Sequence, residues 1–250
     1  MTAAATKVDG LPAAKLVGQR VEAVEAQGKH LLVRLDTGQV LHSHMKMTGS
    51  WHVYREGERW RRPESQARLT LACGDHVAVC FNAPVVELLA PRAEALHPGL
   101  AGLGPDLLVD PFDLDEVRRR ASTRPPDLAI GELLLDQRVV AGIGNIWRCE
   151  SLFVDGRDPW LPRSALSDDD LDRLVLTASR LMRAQLGPWR PENGSRQGVQ
   201  PPSRRGLQPP GRRWVYGRTG RPCRRCGTSI ETRRSGEGAR VVFWCPHCQR

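Results

Sequence analysis

Four cysteines near the C-terminus occur as two pairs, and their spacing constrains the local fold more than any other feature of the chain. Cys223 and Cys226 form one C-x2-C knuckle, and Cys245 and Cys248 form the second, with 18 residues between the pairs. Two such knuckles can place four thiolates around one tetrahedral Zn2+, and the segment between them is long enough for a β-hairpin. The sequence therefore predicts a zinc ribbon with one structural Zn2+.

Two other interpretations of the cysteines remain open, namely redox-active dithiols that form disulfides and a ribbon that binds no partner of its own. A redox C-x-x-C pair usually begins a helix in a βαβ unit. Here Gly227, Gly236 and Gly238, together with the run Val241 to Trp244, indicate strands and turns instead. The local pattern therefore favours zinc.

Positive charge is concentrated at the C-terminal end of the chain. The whole chain has a formal net charge of +9, and residues 188–250 contain 14 Arg, no Lys, three Glu and no Asp. Arg233, Arg234 and Arg240 lie between the two cysteine pairs. A merely solvated surface normally mixes both signs of charge, whereas positive charge concentrated on one module is typical of proteins that bind nucleic acids.

The sequence shows no segment that would place the protein in or across a membrane. No apolar run approaches the ~20 residues of a transmembrane helix, and the N-terminus lacks a basic segment followed by an apolar stretch. We therefore expect a soluble, cytoplasmic protein. In such a reducing compartment, Cys73, Cys80 and Cys149 are expected to be ordinary core residues.

Residues 16–90 show the short apolar runs and turn spacing of β-strands. Turn-forming residues at Asp36-Thr-Gly38, Thr48-Gly49 and Gly74-Asp75 separate the runs. This arrangement predicts an antiparallel β-sandwich or barrel. The predicted strands are Lys29–Leu35, Val40–Met45, Ser50–Arg55, Arg68–Cys73, His76–Phe81 and Val85–Leu89.

After Pro91 the pattern changes to helices. The segment Asp168–Leu186 is the clearest, because its apolar residues recur at helical spacing and Ser167 precedes it as a predicted cap. A stretch rich in Pro, Gly and Arg then follows and is predicted to be a flexible linker. The other predicted helices are Leu114–Ser122, Leu128–Val139 and Asn145–Val154.

The segment Gly142-Ile-Gly144-Asn145 has the residues to direct a helix N-terminus at a phosphate. The two glycines permit a tight turn, and Asn145 is a good N-cap for the helix that follows. Backbone N–H groups and the positive end of a helix dipole would then converge on one point. An ordinary helix–helix turn explains the same residues when they are seen alone, but the basic zinc ribbon favours phosphate binding.

Together these motifs resemble the formamidopyrimidine-DNA glycosylase and endonuclease VIII family. The resemblance rests on Gly142-Ile-Gly-Asn-Ile146, on Glu150-Ser-Leu-Phe153, and on Val215-Tyr-Gly-Arg-x-Gly-x-Pro-Cys223, which leads into the cysteine pairs. It implies an α+β protein with four segments. These are an N-terminal β-sandwich at residues 1–95, a helix-two-turns-helix domain at 96–187, a linker at 188–213 and a zinc finger at 214–250.

The resemblance implies a role in base-excision repair of double-stranded DNA. In that family an oxidised base is flipped out of the duplex, because its reacting atom is inaccessible in the stack. The glycosidic bond is then cut through a Schiff base, and the strand is nicked at the abasic site by elimination. We therefore expect a monomer that acts on chromosomal DNA in the nucleoid, at oxidised bases or abasic sites.

Four side chains match positions with known roles in the family. Lys29, in Gly28-Lys29-His30, resembles the lysine of the β-sandwich that donates a proton during elimination. Arg240 resembles the finger arginine used in δ-elimination, and Asn145 resembles the asparagine that contacts the phosphate backbone beside Gly142 and Gly144. Met47 falls where the family inserts a side chain into the gap left by the flipped base.

Each of these assignments has a simpler alternative. Lys29 could be a solvated charge at a strand end, since half the positions of a one-sided sheet face water. Arg240 could be a general phosphate contact, and Met47 could be a core residue. Because no carboxylate or thiolate stands at ligand spacing from His42, His44 and His52, we expect no metal site among those histidines.

The sequence departs from the family at two places. The segment Phe81-Asn-Ala-Pro-Val-Val86 does not match the arginine and phenylalanine wedge of the purine-specific members, which favours the endonuclease VIII branch and oxidised pyrimidines. The family nucleophile is a proline directly after the initiator methionine, followed by glutamate, and such an amine has an intrinsic pKa of about 8. This chain begins Met1-Thr2-Ala-Ala-Ala instead.

Two explanations of this departure are open. We find no room before Lys29 for the family's leading helix and first strand, so we expect that ~20–25 residues precede the recorded start. The alternative is a catalytically inactive, zinc-dependent protein that binds DNA lesions. Thr2 as a substitute N-terminal amine is less consistent with the sequence, because no acidic residue stands next to it.

Overall fold

The computed structural model describes residues 1–186, 213–236 and 238–250. The predicted linker, residues 188–213, lies outside the described residues except for Arg213. Within the described chain there are two compact units, Met1–Ala101 and residues 102–186 with 213–250. Among these residues, no helix combines the length and the hydrophobicity that crossing a bilayer takes.

The first unit is built from two antiparallel four-stranded sheets. Its strands are β1 (Ala3–Thr6), β2 (Val21–Gln27), β3 (His30–Leu35), β4 (Val40–His44), β5 (Ser50–Arg55), β6 (Ala67–Cys73), β7 (His76–Phe81) and β8 (Val85–Leu89). One sheet has the order β1-β6-β7-β5 and the other the order β2-β3-β4-β8. Leu35 and Leu41 of the second sheet pack with Leu69, Leu71 and Cys80 of the first in one buried cluster. The predicted antiparallel sandwich is therefore confirmed.

The stretch before Lys29 contains two strands that the sequence did not reveal. β1 consists of Ala3-Ala-Ala-Thr6, which has little intrinsic β-propensity, and it forms because it pairs along its whole length with β6. β2 pairs with β3 and is mostly exposed. The prediction of no room before Lys29 for a leading helix and a first strand did not anticipate these strands, and the described residues before Lys29 contain a short 3-10 helix, Ala13–Leu16, but no α-helix.

The second unit contains four helices and a hairpin. The helices are α1 (Leu114–Ser122), α2 (Ile130–Leu133), α3 (Asn145–Asp155) and α4 (Asp168–Leu186). The hairpin pairs β9 (Glu231–Ser235) with β10 (Arg240–Trp244). The predicted cap of α4 is confirmed, because the Asp170 N–H donates to Ser167 Oγ at 3.1 Å. The apolar face of α4 packs into a core with α1, α2 and α3.

The helix predicted over residues 128–139 was too long, because α2 covers only four residues. The Asp136 side chain accepts the N–H of Arg138 at 2.9 Å and offers the backbone an alternative to a continued helix. At the other end, Ile130 and Gly131 donate their N–H groups to the carbonyls of Leu161 and Pro159. Tertiary contacts therefore outweigh the helical pattern at the N-terminal end, and a local side-chain hydrogen bond does so at the C-terminal end.

Candidate nucleic-acid interface and metal centre

The four cysteines of the two knuckles lie together. The Sγ atoms of Cys223 and Cys248 are 3.9 Å apart, those of Cys226 and Cys245 are 3.5 Å apart, and all four lie within 4.8 Å of one another. Thiolates at ~2.3 Å from one tetrahedral ion would be about 3.8 Å from each other. All seven cysteines of the chain are free thiols. The arrangement therefore fits a metal ion and not a pair of disulfides.

The electrostatics of this cluster also favour a bound cation. A hydrogen bond with the Thr228 side chain lowers the pKa of the Cys226 thiol to about 6, so that Cys226 ionises readily at neutral pH. Burial raises the pKa of Cys245 and of Cys248, and the neighbouring cysteines raise both further. Thiols packed this closely oppose one another's ionisation, and a cation bound between them would remove that opposition.

The hairpin that connects the knuckles presents three arginines, of which one has no bonding partner among the described residues. The Arg233 guanidinium lies 4.6 Å from the ring centroid of Trp160, and Arg234 donates to the carbonyl of Ala239 at 3.0 Å. Arg240, the first residue of β10, is exposed, and although its backbone pairs with Ser235, its guanidinium forms no hydrogen bond or ion pair with a described residue. Its guanidinium is therefore accessible to a ligand.

Gly142 and Gly144 form the predicted tight turn, and the Gln137 side chain forms hydrogen bonds with its backbone. Gly142 has φ of 104°, and a Cβ atom there would lie 3.0 Å from the end of Met182. The Gly142 N–H donates to Gln137 Oε1 at 3.0 Å, and Gln137 Nε2 donates to the carbonyl of Ile143 at 3.1 Å. The Gly142 N–H therefore faces Gln137. The sequence analysis assigned no role to Gln137.

The predicted N-cap role of Asn145 was wrong, because Gly144 occupies that position without a side-chain cap. Asn145 is the first residue of α3, and its Nδ2 donates to the carbonyl of Val241 in β10 at 2.9 Å. Its Oδ1 accepts from Arg148. Arg148 is fully buried and also pairs with Glu132 at 2.7 Å. Asn145 is therefore oriented by the buried Arg148. The carbonyl to which Asn145 donates belongs to Val241, the residue that follows Arg240 in β10.

Glu150 attaches the segment that leads into the finger to helix α3. This side chain is buried, and its carboxylate accepts the backbone N–H groups of Trp214, Val215 and Tyr216 at 2.8, 3.1 and 2.8 Å. The Gln249 side chain also connects the finger to the segment after α3. It accepts the Cys245 N–H at 2.9 Å and donates to the carbonyl of Arg157 at 3.0 Å. Neither role was predicted, although Glu150 belongs to a motif that carries the family resemblance.

Met47 belongs to the loop between β4 and β5, and its side chain is 79% exposed. The loop is tight, because the Gly49 N–H donates to the carbonyl of Met45 at 2.8 Å and a Cβ atom at Gly49 would lie 2.8 Å from that oxygen. The alternative that Met47 is a core residue was therefore wrong. An exposed, unbranched apolar side chain at the tip of a tight loop has the form needed for insertion between bases.

Lys29 lies in the two-residue turn Gly28-Lys29 between β2 and β3, and not in the strand that was predicted to begin with it. Gly28 has φ of 59°, the positive value that such hairpin turns need. Lys29 is half-buried. Burial, with the charges of Lys46 and Lys29, lowers the pKa of His44 to about 4. Lys29 directly precedes His30, which pairs with His44 of β4 across the sheet.

We expected no metal site among His42, His44 and His52 because no carboxylate stands at ligand spacing in the sequence, but the structure brings the Glu87 carboxylate to His42. Glu87 of β8 lies opposite His42 of β4, and His42, Glu87 and His97 each offer a ligand atom within 4.8 Å of the others. His52 does not join them, since its ring bonds to Ser50 on the other sheet. The strand pairing of β4 and β8, which the sequence does not reveal, brings Glu87 to this place.

A β-sandwich followed by a glycine turn before a helix, and by a four-cysteine finger fixed to that helix, defines a class of DNA-binding repair glycosylases. Comparisons with known proteins support this class. The N-terminal domain of formamidopyrimidine-DNA glycosylase matches residues 3–84, and the helix-two-turns-helix domain of formamidopyrimidine-DNA glycosylase matches residues 103–187.

Two curated relatives match most of the chain. A probable endonuclease 8 2 of Streptomyces coelicolor is 40% identical over 94% of this chain and 80% of its own length. The DNA-(apurinic or apyrimidinic site) lyase Nei2 of Mycolicibacterium smegmatis is 37% identical over 94% of this chain and 84% of its own length. Among solved structures, the Lactococcus lactis glycosylase in complex with Fapy-dG-containing DNA matches with a TM-score of 0.80 and 20% sequence identity. The match covers 100% of this chain and 92% of the Lactococcus lactis chain.

This chain belongs to the formamidopyrimidine-DNA glycosylase and endonuclease VIII family, whose members are base-excision-repair glycosylases with abasic-site lyase activity. Its curated relatives place it with the endonuclease VIII branch. The fold is the one seen in the Lactococcus lactis structure.

Proposed function

We propose that this protein removes oxidised pyrimidines from double-stranded DNA and cleaves the strand at the resulting abasic site. The observation that carries the proposal is the contact between helix α3 and the finger, in which Asn145 Nδ2 bonds the carbonyl next to Arg240 at 2.9 Å. This contact sets a phosphate-binding amide beside an accessible arginine. Both groups can then contact the same strand of one duplex.

Asn145 can hold the finger and still bind DNA. An amide nitrogen has two hydrogens, and only one is used by the carbonyl of Val241. The first N–H groups of α3 lack intrahelical partners, and no side chain caps them. These donors, with the Asn145 amide, form a site for a phosphate oxygen at the positive end of the helix.

The finger depends on its four cysteines, and we assign Zn2+ to them because four thiolates at tetrahedral spacing are a typical structural zinc site. When bound, zinc would fix the two knuckles and so the orientation of the hairpin. Arg240 would then contact the phosphate during δ-elimination. The positive charge of the arginine stabilises the charge that develops on the leaving phosphate.

The sandwich contributes Met47 and Lys29. Met47 would fill the gap that the flipped base leaves, which offsets part of the cost of unstacking. Lys29, half-buried in the turn between β2 and β3, would donate a proton during elimination, as the family resemblance implies. Both roles belong to the first unit.

Borohydride trapping of a covalent adduct tests the activity. Two zinc-loaded forms are compared on duplexes with an abasic site or an oxidised pyrimidine: the chain as given, and a chain extended upstream to an in-frame Met-Pro-Glu if the genome encodes one. We expect strand cleavage and an adduct from at least one form, with faster cleavage of oxidised pyrimidines than of oxidised purines. Binding with steep salt dependence but no adduct from either form would instead support the inactive lesion-binding alternative.

Two matched pairs of variants test the residue roles in the active form. R240A should lower the yield of δ-elimination product by about 100-fold, whereas R234A, on the same hairpin, should lower only DNA affinity. M47A should weaken lesion binding by about tenfold, or ~1.4 kcal/mol, whereas L96A, which removes another exposed apolar side chain of the first unit, should not. Equal effects within either pair would contradict the assigned role.

A further inference from the structure

The connection between β5 and β6, residues 56–66, crosses the outer face of one sheet of the sandwich. Both strands are antiparallel to β7, and Ser50 of β5 and Ala67 of β6 both lie opposite Phe81. The two strands therefore run in the same direction, and the connection must return along the sheet. We call this connection the crossover. It covers an apolar cluster, separate from the sandwich core, that contains Tyr54, Ala67, Val79 and Phe81.

Aromatic packing and hydrogen bonds fix the crossover on the sheet. The ring of Trp60 stacks on that of Tyr54, with centroids 6.3 Å apart. The Arg61 N–H donates to Tyr54 Oη at 3.1 Å. At the end of the crossover, the Asn82 side chain donates to Gln66 Oε1 at 3.0 Å. These contacts determine where the arginines of the crossover leave its backbone.

Two adjoining cavities beside the crossover are lined mainly by cationic side chains. One has a volume of about 100 Å³ and lies between β1, β6 and the crossover. The other is lined by residues 58–64, and both include Trp60 and Glu64. Glu58 and Glu64 are the acidic residues of the two linings, so positive charge is in excess. The cationic residues are Lys7, Arg59, Arg61, Arg62 and Arg68.

The Arg68 guanidinium lines the smaller cavity without a partner among the described residues. Its Nε atom is buried and makes no hydrogen bond, although the whole residue is only half-buried. The three arginines of α1, by contrast, all pair with carboxylates. A buried donor without an acceptor costs free energy. An unpaired guanidinium beside a cavity therefore indicates a site for an anion.

The cavity and its cations suit a phosphate group. The volume of about 100 Å³ is several times the ~10–15 Å³ that one water molecule needs. A guanidinium binds phosphate through two parallel N–H donors, which gives arginine the geometry for this ligand. A free phosphate ion and a phosphate of a DNA strand share this chemistry.

The position of the site favours the DNA strand, because Asn82 connects the crossover to the Met47 loop. The carbonyl of Asn82 accepts from Thr48 Oγ1 at 3.1 Å, and its backbone N–H donates to the carbonyl of Gln66 at 2.9 Å. Arg68 follows Gln66 by two residues. The site and the Met47 loop therefore lie at the same end of the sheet.

The strand register gives the separation of the two features along the sheet. Ser50, which follows the Met47 loop, and Ala67, which precedes Arg68, lie on opposite sides of Phe81. Two strand spacings amount to ~10 Å. One strand of a DNA duplex advances ~3.4 Å per nucleotide. The separation therefore corresponds to about three nucleotides.

We propose that Arg68 and the crossover arginines bind a backbone phosphate of the DNA, about three nucleotides from the base pair at which Met47 inserts. The inference rests on the proposed function, in which Met47 enters the duplex. The contact reads no base sequence. It fixes the register of the DNA on the sandwich, as phosphate contacts generally do.

Replacement of Arg68 tests the contact through two opposite expectations. R68M keeps an unbranched side chain and removes the unpaired cation. We expect an equal or higher melting temperature, because no described partner is lost. Affinity of the zinc-loaded protein for a duplex with an uncleavable abasic-site analogue should fall about three- to tenfold, and the slope of log K against log salt should fall by about one.

Two further variants complete this comparison. R62A, on the crossover, should weaken DNA binding in the same way as R68M. R119M removes a cation that already pairs with Glu116 on α1, and it should change neither the affinity nor the salt slope. Wild-type affinity in both R68M and R62A would overturn the proposal. Weaker binding by R68M that is accompanied by a lower melting temperature would also overturn it, since Arg68 would then be structural.

Duplexes shortened by one base pair at a time locate the phosphate. On one side of the lesion, the difference in affinity between wild type and R68M should disappear once the duplex ends within about three nucleotides of the lesion. Shortening on the other side should preserve the difference. A difference that persists in the shortest duplexes from both sides would contradict the assigned position.

Nitrogen NMR of the Arg68 side chain in the full chain separates the two sources of phosphate. We expect inorganic phosphate alone and the lesion duplex alone each to shift the Arg68 Nε–H signal, and the duplex to displace the ion. A shift with inorganic phosphate but none with DNA would overturn the proposed DNA contact, and no shift with either would overturn the site. A protein that shows both shifts but cleaves no strand would count against the proposed function alone.

Discussion

The sandwich and the finger of this protein are stabilised in different ways. The core of the sandwich is a broad apolar cluster drawn from both sheets, with Leu16 and Leu69 fully buried. The finger has a small apolar cluster that includes two of its own cysteines, and it is attached to α3 through Glu150. The stability of the sandwich is therefore spread over many contacts, whereas the orientation of the finger depends on a few polar groups.

This comparison predicts that single substitutions will affect the two regions unequally. An apolar core loses stability in proportion to the side chain removed, but a metal site or a buried acceptor fails as a whole when one member is lost. The accessible Arg240 lies on the finger. DNA binding should therefore be more sensitive to the finger's polar contacts than to any one apolar residue of the sandwich.

Loss of the metal site should have the largest effect. C245S removes one buried thiolate from the cluster, and structural zinc contributes about 10–16 kcal/mol to the folding of small fingers. We expect at least ~100-fold weaker DNA binding and loss of amide protection in residues 213–250. C73S, at an exposed cysteine outside the cluster, is the control. Protection of residues 1–101 should stay unchanged, and its loss in C245S would contradict the comparison.

Removal of the Glu150 carboxylate should have an intermediate effect. E150A leaves three backbone N–H groups without an acceptor, and hydrogen bonds to a charged group contribute ~1.5–3 kcal/mol each. We expect the free energy of opening of the finger, measured by hydrogen exchange at residues 214–216, to fall by about 3 kcal/mol. E150Q retains one acceptor oxygen and should lose less. An equal loss in the sandwich would show that Glu150 stabilises the whole protein.

The smallest effect concerns the sandwich and depends on pH. Burial, with nearby positive charge, lowers the pKa of His44 from 6.5 to about 4. The unfolded chain therefore binds more protons between these values, so the stabilising contribution is complete above about pH 6.5 and is lost as the pH falls towards about 4. H44N should flatten the pH dependence of the melting temperature across this window, and H76N serves as the histidine control. An unchanged profile in H44N would contradict the prediction.

Local patterns in the sequence predicted much of the fold. β5, β7, β8, α1 and α4 have the predicted bounds, because their apolar periodicity and flanking turn residues are local properties. The cysteine cluster followed from spacing alone. Where the pattern was weak, the prediction was wrong: β1 depends on pairing with β6, and α2 ends where Asp136 bonds to the Arg138 N–H.

The candidate site divides in the same way. Met47, Gly142 and Arg240 could be selected from motifs, since each belongs to a short segment of recognisable sequence. The residues that hold the site were missed, namely Gln137, Arg148 and Glu150. Each acts by a contact of its side chain with another segment or turn, and no residue pattern signals such contacts.

The sequence by itself determined the metal-binding knuckles, the periodicity of the strands and helices, and the glycines of the turn before α3. Only the tertiary structure decided that Asn145 bonds to β10 and that Glu87 meets His42. These pairs are 96 and 45 residues apart in the chain. Strand register and helix packing bring such pairs together, and they follow from the burial of the whole core and not from any one segment.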